Sequence, residues 1–422
     1  MIRVSALIGN IRELYDLIGT FVFIYPICMS ILWCIGAIYF YFRRERASVK
    51  INPYEGDLNL GVSVIIPAHN ETKHIEETVM SVLKTKYPKY EIIVIDDAST
   101  DDTFEKVSDL VRKYKQVRTI HLKQNKGKAV GLSMGAVAAK YEILLVIDAD
   151  CILEPDAIAY MVRHFKYGPR VGAVTGNPRV RNRITLLEKI QTAEYSSIIG
   201  LIKRAQRILG KVFTVSGAVS AFRKSAVFDV GLWDADMITD DINITWKLEK
   251  RFWDIRYETQ ALCWTMVPHS LKNLWKQRLR WAQGGCEVLL KHMNVWKDIR
   301  NRRFWPVYLE YFISGFWAYA FVFSLCLAII SVFITDLGID LQWMVGWLGF
   351  LLTIMCLIQF ALAFFMDSLY EKGLMKYLIF IVWYAVMYWL LITLTMCVAF
   401  PKVLFRKKEA NRVAVWSSPK RK

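Results

Sequence analysis

Apolar and polar positions divide this chain into a polar central part and two apolar ends. Residues 18–42 are almost wholly apolar and precede the charged run 43–46, a pattern typical of a membrane span whose C-terminal end is cytoplasmic. Residues 1–17 carry several charges and predict an interfacial helix rather than a second span. Further apolar stretches, each long enough to span a membrane, lie at 305–334, 341–366 and 377–400.

The central part alternates between two periodicities. Apolar runs that predict strands lie at 62–66, 91–95, 118–122, 142–147 and 171–175. Helical patterns between most of them lie at 73–86, 101–115 and 126–139. This alternation predicts an α/β fold with a mainly parallel sheet, which binds ligands at the carboxyl ends of its strands.

These changes of pattern predict six segments. They are an N-terminal interfacial segment and transmembrane helix (1–46), a linker (47–60), the α/β domain (61–270), an amphipathic interface helix (271–303), a C-terminal transmembrane region (304–400) and a basic tail (401–422). A cytoplasmic domain with four spans places the tail outside, whereas the positive-inside rule favours a basic tail inside. A re-entrant or interfacial stretch, or an exception to that rule, would resolve the conflict.

Composition supports a membrane protein and weakens one other class. Hydrophobic residues make up 55% of the chain, with 15 Trp, 20 Tyr and 23 Phe, as expected of an integral membrane protein with interfacial aromatic residues. The formal charge of +17 fits anionic lipid or a phosphorylated substrate. It would also fit nucleic acid, but the sequence shows no nucleic-acid-binding motif, so we expect no such partner. The cysteines show neither a disulfide pattern nor zinc spacing.

Acidic residues follow the predicted strands. Asp96 and Asp97 end the second strand, and Asp148 and Asp150 follow the fourth, where a strand period of two would place both carboxylates on one face. Such a pair could hold Mg²⁺ or Mn²⁺ together with diphosphate oxygens. One D-x-D alone is usually a solvated turn, but acidic strand ends throughout one half-sheet strengthen the hypothesis.

Lys128 stands near the start of the helical pattern 126–139, after Gly127. Backbone amides and ammonium groups there could contact phosphate. The glycines could equally serve close packing of the helix on the sheet, and the sequence leaves both interpretations open.

The stretch 239–281 carries the groups that a sugar transfer needs. Asp240 and Asp241 at its start offer a carboxylate that can accept a proton, and at its end Gln277, Arg280 and Trp281 offer an amide, a cation for an anionic leaving group and an indole to stack on a pyranose.

Each end of this stretch also has a simpler interpretation. Thr239 could cap a helix whose positive first turn holds both aspartates. Residues 277–281 could belong to an amphipathic surface helix.

In order and spacing, these motifs resemble the processive family 2 glycosyltransferases, which include cellulose, chitin, hyaluronan and poly-N-acetylglucosamine synthases. The family pattern of a strand-end aspartate, D-x-D, T-E-D and Q-x-x-R-W is matched by Asp97, Asp148 to Asp150, Thr239 to Asp241 and Gln277 to Trp281. The runs GNPRVRNR, EYSSIIGLIKR, FTVSGAVSAFR and LWKQRLRWAQGG are most similar to the bacterial poly-β-1,6-N-acetylglucosamine branch. Two positions depart from the pattern, since Asp240 and His269 both stand where such synthases have Glu.

The resemblance implies a role for each matched residue. Asp97, with Asp96 nearby, would contact the uridine, and Asp148 and Asp150 would hold the divalent cation and diphosphate. Asp241, beside Asp240, would be the general base. The remaining implied ligands are Gln277 and Arg280 for the departing UDP, and Trp281, Ser216 and Gly217 for the acceptor sugar.

The resemblance also implies a fold and a function. It implies a GT-A type domain facing the cytoplasm in a multi-pass enzyme of the bacterial inner membrane. This enzyme would polymerise N-acetylglucosamine from UDP-N-acetylglucosamine with inversion and pass the growing polysaccharide across the membrane. Membrane lipid and a small accessory membrane subunit with cyclic di-GMP regulation are the further partners that it implies.

Three alternatives remain. Another polymer synthase of the family is one, because residues alone do not identify the sugar or linkage. A transferase adding one sugar to a lipid carrier is the second, and the Q-R-L-R-W element argues against it. A transporter or structural membrane protein is the third, and the acidic strand ends argue against it.

Overall fold

A computed structural model describes residues 2–55, 59–333, 346–384 and 388–406, with side chains from residue 13 onward. The predicted tail beyond residue 406, and residues 56–58, 334, 341–345 and 385–387 of the predicted linker and spans, lie outside the described residues.

The α-helices of this part are α1 (Ile2–Phe40), α2 (Arg46–Ser48), α3 (Ile75–Leu83), α4 (Thr103–Lys113), α5 (Lys128–Ala138), α6 (Ala157–Lys166), α7 (Leu186–Glu194), α8 (Ile202–Leu209), α9 (Lys224–Asp229), α10 (Asp240–Lys250), α11 (Leu271–Lys291), α12 (Trp305–Phe333), α13 (Trp347–Asp367) and α14 (Trp389–Leu404). The π-helical segments are Tyr41–Glu45 and Tyr195–Leu201, and the 3₁₀ helices are Met293–Lys297, Ile299–Arg303 and Leu374–Ile381. The strands are β1 (Val62–Ala68), β2 (Tyr90–Asp96), β3 (Val117–His121), β4 (Ile143–Ile147), β5 (Ile152–Leu153), β6 (Val171–Val180), β7 (Val219–Arg223) and β8 (Asp254–Thr265).

The strands form one mixed sheet in the order β3-β2-β1-β4-β7-β6-β8-β5. The pairs β1–β2, β1–β4, β2–β3 and β6–β8 are parallel, whereas β7 runs antiparallel to β4 and β6. The predicted α/β fold is confirmed, and β5, β7 and β8 extend the predicted sheet. Because β7 runs opposite to β4, the loop before β7 reaches the edge where β1, β2 and β4 end.

Helices cover both faces of this sheet. Val64 and Ile66 of β1 belong to one apolar core, and Ile65 belongs to the other. Successive residues of β4 likewise belong alternately to the two cores. Parallel strands buried on both faces have continuous apolar sequences, which explains why these runs stood out in the sequence.

Three helical regions are long and apolar enough to cross a membrane, namely Glu13–Ser48, Trp305–Phe333 and Trp347–Asp367. The interfacial helix expected in residues 1–17 is not separate, because α1 continues through it without a break. The predicted stretch 377–400 falls on the end of a 3₁₀ helix and on α14, which packs along α11.

A buried cluster of charges connects the apolar helices to the sheet. We name Glu45, Arg179, Arg204 and Asp367 the charged interlock. Arg204 in α8 donates to both carboxylate oxygens of Glu45, at 2.8 and 2.7 Å, and its Nη1 lies 2.9 Å from Asp367 Oδ1. Arg179 in β6 donates to Asp367 Oδ2 at 2.5 Å. The interlock thus holds the residues after α1 and the end of α13 against the α/β domain.

Candidate active site

A cavity of about 790 Å³ lies at the edge where β1, β2 and β4 end. Lys128, Asp148 and Asp150 line one part of it, and Trp317 of α12 and Met396 of α14 line another. The cavity therefore joins the acidic end of the sheet to the apolar helices.

Asp148 and Asp150 lie together as predicted, but not on a strand. Both follow the end of β4, in a turn. One ligand atom each from Asp148, Asp150 and Cys151 can lie within 4.8 Å of one another. The neighbouring Cys263 thiol and burial raise the pKa of Cys151 well above its usual range, so Cys151 stays a thiol. The two carboxylates are therefore the hard oxygen ligands of this group, and they fit Mg²⁺ or Mn²⁺.

Lys128 begins α5 and contacts the same acidic group. Its Nζ donates to Asp148 Oδ1 at 2.6 Å and to the Gly217 carbonyl at 3.3 Å. Burial lowers its pKa, but Asp148 and Asp240 together raise it above the usual range, so the side chain is an ammonium. The close-packing interpretation also holds for this helix, because a Cβ at Gly135 would meet Ile65.

Asp96 and Asp97 are buried beside the cavity and are not among its lining residues. The carboxylate of Asp97 accepts hydrogen bonds from the backbone amides of Lys126 and Gly127, both at 2.8 Å. Asp96 Oδ2 lies 2.7 Å from Nδ1 of His121. Asp97 thus fixes the loop that presents Lys128, while the predicted contact of this pair with the uridine stays a prediction.

Asp240 and Asp241 occupy the first turn of α10 and line the cavity. Thr239 is the N-cap residue of a helix with both aspartates in its first turn, as the simpler interpretation predicts, but the Thr239 hydroxyl makes no capping hydrogen bond. Asp241 Oδ1 accepts from the amide of Ile242 at 2.9 Å. Burial, and next the charge of Asp240, raise the pKa of Asp241 to about 6, which suits a group that must accept a proton near neutral pH.

Gln277, Arg280 and Trp281 line the cavity from α11. This helix packs along α14 and buries Gln277, so the surface-helix interpretation of this motif is wrong. The predicted interface helix also ends earlier than expected, at Lys291. It is followed by two 3₁₀ turns, the second of which begins where Asp298 accepts a hydrogen bond from the amide of Arg300.

Arg278 orients the indole of Trp281. Its guanidinium lies over the Trp281 ring, 4.0 Å from the ring centroid, and donates to Glu194 at 2.6 Å and to the Tyr388 hydroxyl at 2.7 Å. Sequence reasoning missed this support, because Glu194 and Tyr388 are remote from the motif in the chain.

Ser216 and Gly217 lie in the loop before β7 and line the cavity. The amide of Ser216 donates to Thr175 Oγ1 at 2.8 Å. A Cβ at Gly217 would lie 3.1 Å from Asp241 Oδ2, so this glycine allows the loop to approach the carboxylate closely.

Lys203 of α8 is a second cavity-lining residue that sequence reasoning missed. Its position at helical spacing from Ile199 and Gln206 was the available signal. The structure thus brings Lys128, Asp148, Asp150, Ser216, Gly217, Asp240, Asp241, Gln277, Arg280 and Trp281 to one cavity, with Lys203 in its wall.

Comparisons with known proteins found a matching family and similar sequences. The sequence profile of the family described as "Glycosyltransferase like family 2" matches residues 60–284. Poly-beta-1,6-N-acetyl-D-glucosamine synthase from Staphylococcus aureus strain COL is 44% identical over 95% of this chain and 98% of its own length. The Staphylococcus epidermidis synthase of the same name is 41% identical over 96% of this chain and 98% of its own length.

A solved structure supports the fold. A mannosyltransferase from Pyrobaculum calidifontis, in complex with GDP-mannose and Mn²⁺, is similar with a TM-score of 0.60. The alignment covers 91% of this chain and 99% of that one, at 20% sequence identity. The expected GT-A fold is confirmed.

Proposed function

The chain belongs to glycosyltransferase family 2, and on that premise we propose that it polymerises N-acetylglucosamine from UDP-N-acetylglucosamine into a β-1,6-linked polysaccharide. The observation that carries this proposal is the cavity itself. Asp241, the Lys128–Asp148 pair and Arg280 of α11 all line it, together with residues of α12 and α14. The name and the identity of the staphylococcal relatives support the choice of sugar and linkage.

In this proposal the donor binds at the acidic end of the cavity. Asp148 and Asp150 would hold Mg²⁺ or Mn²⁺, which when bound neutralises the charge of the donor diphosphate. Arg280 and Gln277 steady the departing UDP with a cation and an amide. Asp97, with Asp96 nearby, contacts the uridine beside the loop that Asp97 fixes.

Asp241 is the general base of the proposed reaction. Its carboxylate accepts the proton from the 6-hydroxyl of the terminal acceptor sugar, whose oxygen then attacks the anomeric carbon of the donor as UDP leaves. Attack from the face opposite UDP inverts that carbon. Burial, and next the charge of Asp240, keep the pKa of Asp241 raised, which makes the carboxylate a better base than an exposed aspartate.

The acceptor occupies the part of the cavity near the apolar helices. Trp281 stacks on the acceptor sugar, and Ser216 and Gly217 bound the acceptor near Asp241. We place the catalytic domain on the cytoplasmic side of the bacterial inner membrane, where UDP-sugars are available, with the polymer leaving between the spans. The apolar helices and the charges that follow α1 support this orientation.

The test is incorporation of radiolabelled UDP-N-acetylglucosamine by membranes that contain the protein, with Mg²⁺ or Mn²⁺, followed by digestion with a β-1,6-specific hexosaminidase. Membranes carrying Asp241→Asn are the matched control. We expect label in a long polymer that the enzyme degrades. Label confined to a lipid extract would favour single addition to a lipid carrier, and a polymer that resists digestion would favour another linkage.

We also propose that a small accessory membrane subunit and cyclic di-GMP act on the enzyme. Its resemblance to the poly-N-acetylglucosamine synthases supports this expectation. Incorporation should rise when cyclic di-GMP is added to membranes that contain the partner. Equal incorporation with and without the nucleotide would contradict the proposal.

A further inference from the structure

Lys203 is a buried lysine in the wall of the cavity. It lies in α8, and the residue is 5% exposed. Its Nζ donates to Thr175 Oγ1 at 3.2 Å. Among the residues that the structure describes, no carboxylate oxygen lies within 4.0 Å of this nitrogen.

An ammonium in this position is costly to bury. Charged groups that are removed from water are normally paired, and burial lowers the pKa of Lys203 to about 7. Lys128, the other lysine lining this cavity, has Asp148 as its partner. Lys203 therefore has N–H groups to offer to a ligand that enters the cavity.

The surroundings of Lys203 identify which ligand is in reach. Thr175 Oγ1 accepts from Lys203 and also from the amide of Ser216, and its own hydroxyl lies 3.4 Å from the Gly176 carbonyl. Thr175 thus connects Lys203 by hydrogen bonds to the loop that contains Ser216 and Gly217, and Gly217 lies close to Asp241. It is not among the contacts of Asp148, where the donor diphosphate binds in the proposed function.

We propose that Lys203 binds the acceptor, by donating a hydrogen bond to an oxygen of its terminal N-acetylhexosamine and so holding the attacking hydroxyl toward Asp241. This inference rests on the proposed function. Hydroxyl and amide carbonyl oxygens are neutral acceptors, and they suit a lysine whose proton is already weakly held. Lys203 is then a binding residue for the acceptor, distinct from the cations that steady UDP.

The test compares two products of the same reaction. Purified Lys203→Met and Lys203→Gln proteins are assayed for UDP release and for incorporation of labelled N-acetylglucosamine, because water can replace the acceptor in UDP release. Incorporation by Lys203→Met should fall at least about tenfold, the worth of one charge-assisted hydrogen bond, while the Kd for UDP stays within about twofold. The amount of UDP released per sugar incorporated should therefore rise. Lys203→Gln keeps a hydrogen-bond donor, so its ratio of UDP release to incorporation should lie between those of Lys203→Met and wild type.

Lys211→Met is the matched control. Lys211 donates to the backbone carbonyl of Glu249 at 3.4 Å and does not line the cavity, so its loss should leave the ratio of release to incorporation unchanged. A parallel fall of both products in Lys203→Met with a lowered melting temperature would indicate a structural role and overturn the inference. Weaker UDP binding with an unchanged ratio of UDP release to incorporation would also overturn the inference. That result would indicate that Lys203 binds the departing UDP.

These outcomes are separate from failure of the proposed function. If wild-type protein incorporates no N-acetylglucosamine, the proposed function fails first. If wild type is active and Lys203→Met keeps its ratio and rate, only the role of Lys203 is wrong.

Discussion

The charged interlock and the cavity contain similar groups in opposite arrangements. In the interlock, Arg204 faces Glu45 and Asp367 at 2.7 to 2.9 Å. In the cavity, Asp240 and Asp241 are neighbours of like charge, and Lys203 has no carboxylate within 4.0 Å among the described residues. The cavity also contains the pairs Lys128–Asp148 and Arg278–Glu194, so the contrast concerns Asp240, Asp241 and Lys203. Paired buried charges hold elements together, whereas a charged group without a close counterion can bind a ligand. Mutation should therefore affect stability in the first region and chemistry in the second.

The largest effect should come from removing the ligands of the divalent cation. We expect Asp150→Ala to lose both UDP binding and synthesis, because the diphosphate charge is then no longer neutralised, and chelation of metal from wild type should do the same reversibly. Calorimetric titration with UDP and label incorporation measure the two losses. Asp156→Ala is the control, since Asp156 accepts a hydrogen bond from Tyr54 and does not line the cavity. Full synthesis by Asp150→Ala would remove this residue from the site.

Asp241→Asn should separate binding from chemistry. The amide keeps the shape but accepts no proton, so synthesis should fall by about 10²- to 10⁴-fold, the usual contribution of a general base. UDP affinity should stay near that of wild type. Substantial synthesis by this variant would show that another group is the base.

Arg204→Met should destabilise the protein without touching the cavity. It leaves Glu45 and Asp367 short of a partner, and breaking a buried pair in this way costs about 3–5 kcal/mol. Thermal unfolding in detergent measures the loss. Arg112→Met removes the exposed pair with Asp109 and should cost about 0–1 kcal/mol. Equal stability of the two variants would contradict the distinction between the regions.

The smallest effect is a dependence of rate on pH. Because burial and Asp240 raise the pKa of Asp241 to about 6, the carboxylate becomes protonated and loses its function as pH falls through that value. Synthesis should therefore decline as pH falls from about 7 to below about 6. Melting temperatures at each pH separate this decline from unfolding. A rate independent of pH between 5 and 8 would contradict the raised pKa.

The sequence predicts the cavity better than the interlock, for a physical reason. Strand ends are marked locally, because an apolar run stops and polar residues begin, as at Asp96 and Asp148. Partners such as Glu45 and Arg204 or Arg278 and Tyr388 depend on tertiary packing of remote segments, and nothing local marks them. The sequence analysis did not predict the antiparallel strand β7 either, since Ser220 interrupts its apolar pattern.

Local patterns also cannot say which polar groups reach a ligand. Asp97 and Asp148 look alike in sequence, yet the first binds backbone amides and the second lines the cavity. Lys203 shows the converse, because a lysine beside Arg204 in a polar helix is expected at the surface, yet it is buried in the cavity wall.

The interlock also constrains the order in which the protein matures during synthesis. Glu45 leaves the ribosome before the catalytic domain, and Asp367 leaves it after that domain is complete. Arg179 therefore lacks Asp367, and Arg204 has only Glu45, until the end of α13 has docked. Docking of the end of α13 is thus the last step that completes the interlock.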